Sequence, residues 1–355
     1  MSTHEDVGKK TLDLGIWGFA AGYFLCYVPY AAMTKAITAR TPMLPGIDEP
    51  VAGLSLLPIS VGASMIGMLA FITAMGWWQY AGRGRLAGRE VPMPNRWTLL
   101  SGLCTAGVIA TTTMAYTLQG VSIVFMMLLM RGGLLILAPI VDLIARRHVR
   151  WFSWVAVLLS LAALLTAFSE DVVWVDGMPT MPGGFKLTLI AALDVMIYLA
   201  AYFVRLRFMS RLAKSDDLNA RARYFVEEQM VASPALFVGL CIFALIGSGE
   251  SGAAIRAGFT DMTALEATYI VAIGLMSQGT GIFGGLILLD RRENTFCVPV
   301  NRSSSILAGM VATVALYLLS SGKPPSPHDM IGAGLIIIAI LFLTLAPLRA
   351  RRRAG

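Results

Sequence analysis

Residues 123–168 read IVFMMLLMRGGLLILAPIVDLIARRHVRWFSWVAVLLSLAALLTAF. Two apolar runs, 121–145 and 151–168, flank a basic turn, Arg146-Arg147-His148-Val149-Arg150. About 20 apolar residues in a helix cross the hydrocarbon core of a bilayer. Each run therefore reads as a membrane span, and the basic turn as their connection at one membrane face. A single cation, Arg131, lies about nine residues into the first run.

Working outward, the same reading repeats along the chain. Hydrophobic residues make up 57% of it and charged residues 14%. Soluble domains carry about 25% charged residues, so this chain has too little polar surface for a water-soluble globule of its size. Further runs of span length cover 12–36, 52–79, 97–117, 186–207, 224–247, 265–288, 294–320 and 328–348, which makes ten spans in all. The third and fourth are joined only by Leu118-Gln119-Gly120.

Charge placement orients them. With both termini in the cytoplasm, 21 of the 28 Lys and Arg residues fall on the inner side and five on the outer, with Arg131 and Arg302 inside spans. This is the bias that sets membrane topology, and a missed or extra span would place basic loops on both sides. The net charge of +7 is thereby explained without a nucleic-acid partner. The four cysteines all lie in apolar runs with no CxxC pair, so they read as core residues, with neither a disulfide framework nor a metal site. The polar start, MSTHEDVGKK, lacks a cleavable signal's small-residue site, and the first run reads as a retained span.

Five spans per half means that the halves enter the membrane from opposite sides, as inverted repeats do. The expected fold is all-α: ten transmembrane helices as two inverted five-helix repeats, 1–168 and 186–355, joined by an acidic Pro/Gly-rich linker, 169–185. An offset of 171 carries Tyr27 to Tyr198, Phe125 to Phe296 and Arg131 to Arg302. At 1.5 Å per residue, both arginines sit about 14 Å deep, near the bilayer middle. A cation there costs roughly 2.5–3.5 kcal/mol on insertion scales and must face the protein interior. Gly132-Gly133 after the first and Ser303-Ser304-Ser305 after the second allow close approach of a helix or ligand.

Arg131 and Arg302 are thus the candidate site for an anionic group, the alternative being structural ion pairs. Asp194, alone in LTLIAALDVMIYLAAYFV, reads either as a proton-carrying acid or as their counter-ion. Tyr27 and Tyr198 head aromatic stripes (Tyr23, Tyr27, Tyr30; Tyr198, Tyr202) at helical spacing, suited to packing or to hydrogen-bonding a substrate. Lys35 reads as a cation at the outer mouth or as a snorkelling side chain. Asp142, Glu227, Glu228 and Asp290, close to loop arginines, read as interfacial pairs worth little each. No P-loop, HExxH, GxSxG or dinucleotide fingerprint stands in a usable context, which argues against ATP hydrolysis on this chain, and no catalytic dyad is visible.

The ten spans in two halves, the short third-to-fourth connection, and the run from Arg131 through Pro139 and Asp142 to Trp151, answered by Asp290-Arg291-Arg292 and Arg302, resemble the EamA-like members of the drug/metabolite transporter superfamily. The resemblance is one of architecture over nearly the whole chain. It implies a central cavity between the halves, alternating access, a small-molecule substrate and no organic cofactor. The expected function is a secondary transporter of a small anionic or zwitterionic metabolite, as a monomer or homodimer in a bacterial inner membrane. A lipid or lipid-linked-sugar translocase is the alternative, and an intramembrane enzyme or a channel fits less well.

Overall fold

The computed structural model describes residues 14–39, 44–86, 88–115, 123–170, 172–175, 178–180, 188–215, 217–319 and 324–354. The chain forms α1 (Gly15–Thr38), α2 (Leu57–Ala74, led by a 3-10 turn at Gly53–Leu56), α3 (Arg96–Ala115), α4 (Ile123–Ile144) and α5 (Trp151–Ser169). It continues with α6 (Leu189–Leu212), α7 (Leu218–Ile246), α8 (Gly249–Thr260), α9 (Ala264–Leu288), α10 (Asn294–Leu319) and α11 (Pro327–Ala354). Ten of these, all but α8, are long and apolar enough to cross a membrane, as a multi-pass membrane protein requires. Their outer faces present Leu25, Ile66, Leu158, Met196, Leu245 and Leu319, the side chains a lipid solvent accommodates.

Local chemistry sets the ends. The α4–α5 turn closes with Arg146 at φ 53, the sole non-glycine residue of positive φ among those described. Arg147 N–H then reaches back to the Asp142 carbonyl at 2.9 Å, the six-to-one bond of a Schellman ending. At the start of α6 the Thr188 hydroxyl accepts from Ala191 N–H, and α9 opens with a capping box between Thr263 and Glu266. Between α2 and α3 the stretch expected as a loop, 80–96, contains an antiparallel hairpin, β1 (Arg83–Leu86) on β2 (Arg89–Pro92). A second hairpin, β3 (Val173–Val175) on β4 (Met178–Thr180), lies between α5 and α6. The third-to-fourth connection at 118–120 and the polar start before residue 14 lie outside the described residues.

The twelve-residue α8 was expected as part of an outer loop. It is an Ala-rich helix too short to span, held by Arg256, which donates to the carbonyls of Ala244 and Gly247 at 3.1 and 2.8 Å, capping the end of α7.

The helices pack in a reciprocal pattern. α1 lies against α9 and α10, while α6 lies against α3 and α4; α5 lies against α11, and α4 against α10. α2 packs on α7 and α9, and α7 on α3. Small residues allow the closest approaches. A Cβ on Gly102 of α3 would stand 2.6 Å from the Val231 Cβ and 2.8 Å from the Glu228 carbonyl of α7, so only glycine lets those two backbones meet.

Candidate functional site

Helix α6 carries Asp194, Tyr198, Tyr202 and Arg205 at steps of four, four and three residues, one face of a helix. All four are buried. Tyr198 and Tyr202 meet edge-on with centroids 5.0 Å apart. From α10, Arg302 donates through Nη2 to the Tyr202 hydroxyl at 3.0 Å, and its guanidinium lies over the Tyr202 ring. Ser304 and Ser305 turn their hydroxyls back on the helix carbonyls of Val300 and Arg302, leaving a low-profile surface beside the cation.

Arg302 faces a cavity of about 290 Å³ whose walls come from α1, α2, α3, α6, α7, α9 and α10. Tyr23, Tyr202, Arg205, Gln278, Asn301 and Arg302 supply much of its polar lining. Arg302 makes no ion pair among the described residues. Its Nε and the Gln278 Nε2 are buried without a hydrogen-bond partner there. Orphaned buried donors are uncommon in native structures and call for an explanation.

Arg205, near the inner end of the sixth run at 186–207, counts among the inner-side cations that orient the chain. It lies inside the bundle, 6% exposed, paired with Glu228 of α7 through Nε at 2.8 Å and Nη2 at 3.0 Å. Glu228 Oε1 also accepts from Ser101 at 2.7 Å and Thr105 at 3.1 Å on α3. The Ser101 and Tyr224 hydroxyls share a hydrogen bond of 2.6 Å. Three positions of α3 at helical spacing (Thr98, Ser101, Thr105) thus form a polar ladder against α7. One turn toward the basic end, Glu227 accepts from Thr98, Arg223, Asn95 and the Gly82 amide. A wider pocket of about 560 Å³ opens beside it, lined by Tyr80, Asn95, Arg223, Tyr224 and Glu227 among others.

Glu227, Glu228 and Asp290 do pair with arginines, Arg223, Arg205 and Arg292, but these acids and Asp142 are buried rather than interfacial. Asp142, Glu227 and Glu228 are 0% exposed and Asp290 5%. Asp142 accepts from the amide and side chain of Asn294 and of Thr295 at 2.7–3.0 Å. In this way α4 caps the free N–H groups at the start of α10. Close by, Arg150 and Ser153 hold Glu293, with Arg150 donating through Nε at 3.0 Å and Nη2 at 2.8 Å and Ser153 at 2.7 Å. Arg147 and Lys214 donate to the carbonyls of Lys214 and Arg292 at 2.9 and 2.8 Å.

Glu293 lies just before α10. Burial alone would raise its pKa, but the bonds from Arg150 and Ser153 outweigh that and hold it below its ordinary 4.5. A carboxyl depressed in the folded state stabilises it fully above the unfolded value, and the benefit fades as pH falls through the folded one. Glu293→Gln should therefore lower the melting temperature at pH 7, and the gap to wild type should narrow as pH falls below about 4.5. A gap that widens on acidification contradicts this assignment.

The other expected site residues are distributed as follows. Tyr27 stacks on Tyr23 at 5.5 Å and meets Tyr30 edge-on. Tyr27 and Tyr198 are not in the cavity lining but touch Tyr23 and Tyr202, which are. Arg131 is half-buried on α4 and, like Arg302, lies within electrostatic reach of Tyr23 and Tyr198. It is outside the cavity lining and without an ion pair among the described residues. Lys35 is exposed at the far end of α1 and has no part in the cavity. Asp194 is 2% exposed, and neither of its oxygens has a hydrogen-bond partner among the described residues. It is therefore not the counter-ion of either arginine in this arrangement. No cluster of His, Cys, Asp and Glu among the described residues could hold a metal ion.

No family model and no curated protein matches the chain. Among solved structures, 26 chains match it in fold. One crystal structure superimposes with a TM-score of 0.53 over 94% of this chain and 97% of its own, at 15% sequence identity. At that identity the likeness is one of fold.

Proposed function

We propose that the chain is a secondary carrier of a small anionic metabolite, working by alternating access between two inverted five-helix halves. The observation that carries this reading is Arg302, a cation with no carboxylate partner among the described residues, facing a cavity that both halves line. A lone guanidinium in a low-dielectric interior is costly to insert, and an anionic ligand offsets that cost. The repeat is supported by the packing. Numbering the spans one to ten without α8, span 1 lies on 8 and 9 as span 6 lies on 3 and 4, and 5 pairs with 10 as 4 does with 9. Shifting by five exchanges the first two relations and maps the pairs 5–10 and 4–9 each onto itself. This is also the architecture of the EamA-like transporters that the sequence resembles.

In this reading Arg302, Asn301 and Gln278 hold the anion. Arg131 adds positive potential through the tyrosine layer, and Tyr27 and Tyr198 position that layer. The basic loops lie in the cytoplasm, by the positive-inside bias, of a bacterial inner membrane. Asp194, buried and without a hydrogen-bond partner among the described residues, is the proton-carrying group.

Uptake into proteoliposomes tests it. A saturable, concentrative flux of an organic anion, absent from protein-free vesicles, is expected. Asp194→Asn should abolish uptake driven by a pH gradient and leave counterflow exchange intact. If no organic anion in a broad set moves faster than in empty vesicles, the carrier reading is wrong.

A further inference from the structure

The lining of the central cavity contains two arginines and, among the described residues, no Asp or Glu. Glu228 is near, but its two oxygens are engaged by Arg205, Ser101 and Thr105. Arg205 is thereby neutralised, which leaves Arg302 as the unmatched charge of the lining. The unpartnered groups beside it are donors as well, the Arg302 Nε and the Gln278 Nε2. On α2, α3 and α7 the wall offers Val61, Val108, Ile109, Ala232 and Leu236, with Gln229 and Ser233 of α7 as polar members. There the Ser64 and Thr105 hydroxyls are already committed, to the Gly274 carbonyl and to Glu228. At about 30 Å³ per water in the liquid, 290 Å³ corresponds to about ten waters, the size of a metabolite of about ten non-hydrogen atoms.

We infer that the substrate is an amphipathic carboxylate without an amino group: one anionic end on Arg302 and Gln278, one apolar body against α2, α3 and α7. A site discriminates by what it leaves unpaired as much as by what it binds. An ammonium entering here meets two guanidinium groups and no Asp or Glu among the described lining residues, so only neutral acceptors such as Gln229, Ser233 and Asn301 offset its desolvation. A zwitterionic amino acid should therefore be rejected in favour of its deaminated analogue of the same shape. This rests on the carrier reading for its biological sense, but the binding claim stands by itself.

The test uses the full-length protein in detergent and a matched series: 3-phenylpropanoate, phenylalanine, 3-phenylpropanamide and 3-phenylpropylamine, with 4-methylpentanoate and leucine as a smaller pair. Selective ligands stabilise the folded state by mass action, so thermal shifts and calorimetric titration rank them. The acids should bind at least about tenfold more tightly than the matching amino acids, the amide weakly and the amine not at all. Arg302→Gln should remove the preference for acid over amide. Leu236→Gln, which leaves the cation in place, should weaken the phenyl acid while sparing acetate.

Amino acids that bind as well as the acids overturn the inference, as does failure of every acid in the series to bind. The same compounds in counterflow separate the two claims. Acids that bind and do not exchange refute the carrier reading and leave the ligand class standing. Amino acids that exchange refute the class and leave the carrier standing.

Discussion

Glu228→Ala is expected to destabilise the folded bundle by about 3–5 kcal/mol, the usual range when one partner of a buried ion pair is removed. The reason is what remains rather than what is lost. Arg205 is 6% exposed and its carboxylate partner 0%. Without Glu228 the guanidinium stays charged in an apolar interior, and Ser101 and Thr105 lose the acceptor that both use. Removing both charges is a different experiment. Arg205→Met with Glu228→Leu replaces the pair by side chains of comparable bulk, a change that elsewhere proves neutral or stabilising. The double variant should recover most of the stability lost by the single one, so that the two substitutions are strongly non-additive. Thermal or denaturant unfolding in detergent measures both. A single variant that melts with wild type, or a double variant no better than the single, shows that the pair is not an energetic unit.

The fold was legible where a simple solvent rule governs it. A segment of about 20 apolar residues has one economical home, and ten such runs became ten helices within a few residues at most ends. The overruns share a cause, whereas α2 stops short, at Ala74 rather than 79. α7 starts at Leu218 rather than 224, and α6 runs to Leu212 rather than 207. Hydropathy marks the hydrocarbon length, whereas the helix continues through Arg-rich turns that water can solvate. α8 escaped because it is amphipathic and short, a pattern a search for spans passes over. The hairpin at 83–92 lies in a stretch too charged and Gly-rich to show strand alternation.

The candidate site was legible to the extent that it rests on a lone charge in an apolar run, as Arg302 is; Asp194, picked out the same way, is buried outside the cavity lining. Arg205, Glu227 and Glu228 sit near other charges close to helix ends, and proximity to loop arginines made them look like surface pairs. A signal was present. Asp194, Tyr198, Tyr202 and Arg205 share one face of α6, and two adjacent carboxylates stand within YFVEEQMV. Which helix supplies the partner is a tertiary fact that no spacing encodes. The same holds for Lys35, whose aromatic neighbours suggested a mouth and whose position at the end of α1 leaves it exposed.

Arg302→Gln separates function from structure most sharply, because the two readings of this residue predict opposite signs. Were Arg302 a structural ion-pair member, its loss would destabilise the protein as loss of Glu228 should. It has no carboxylate partner among the described residues, and its Nε is buried without an acceptor. The empty protein therefore carries an unrelieved penalty, of the order of the 2.5–3.5 kcal/mol found for an arginine at mid-bilayer. Glutamine keeps a hydrogen-bonding group for Tyr202 and removes the charge, so the melting temperature without ligand should hold or rise. Affinity should move the other way. Losing one side of a desolvated, charge-assisted contact costs about 2–5 kcal/mol, which is about a 30- to 5000-fold weaker dissociation constant for the anion. Arg302→Lys should fall between, since a point charge cannot reproduce the planar two-pronged contact with a carboxylate. A variant that is more stable and nearly inert is the pattern of a strained binding group retained for use. A variant that melts lower and transports at the wild-type rate would place the anion elsewhere in the bundle.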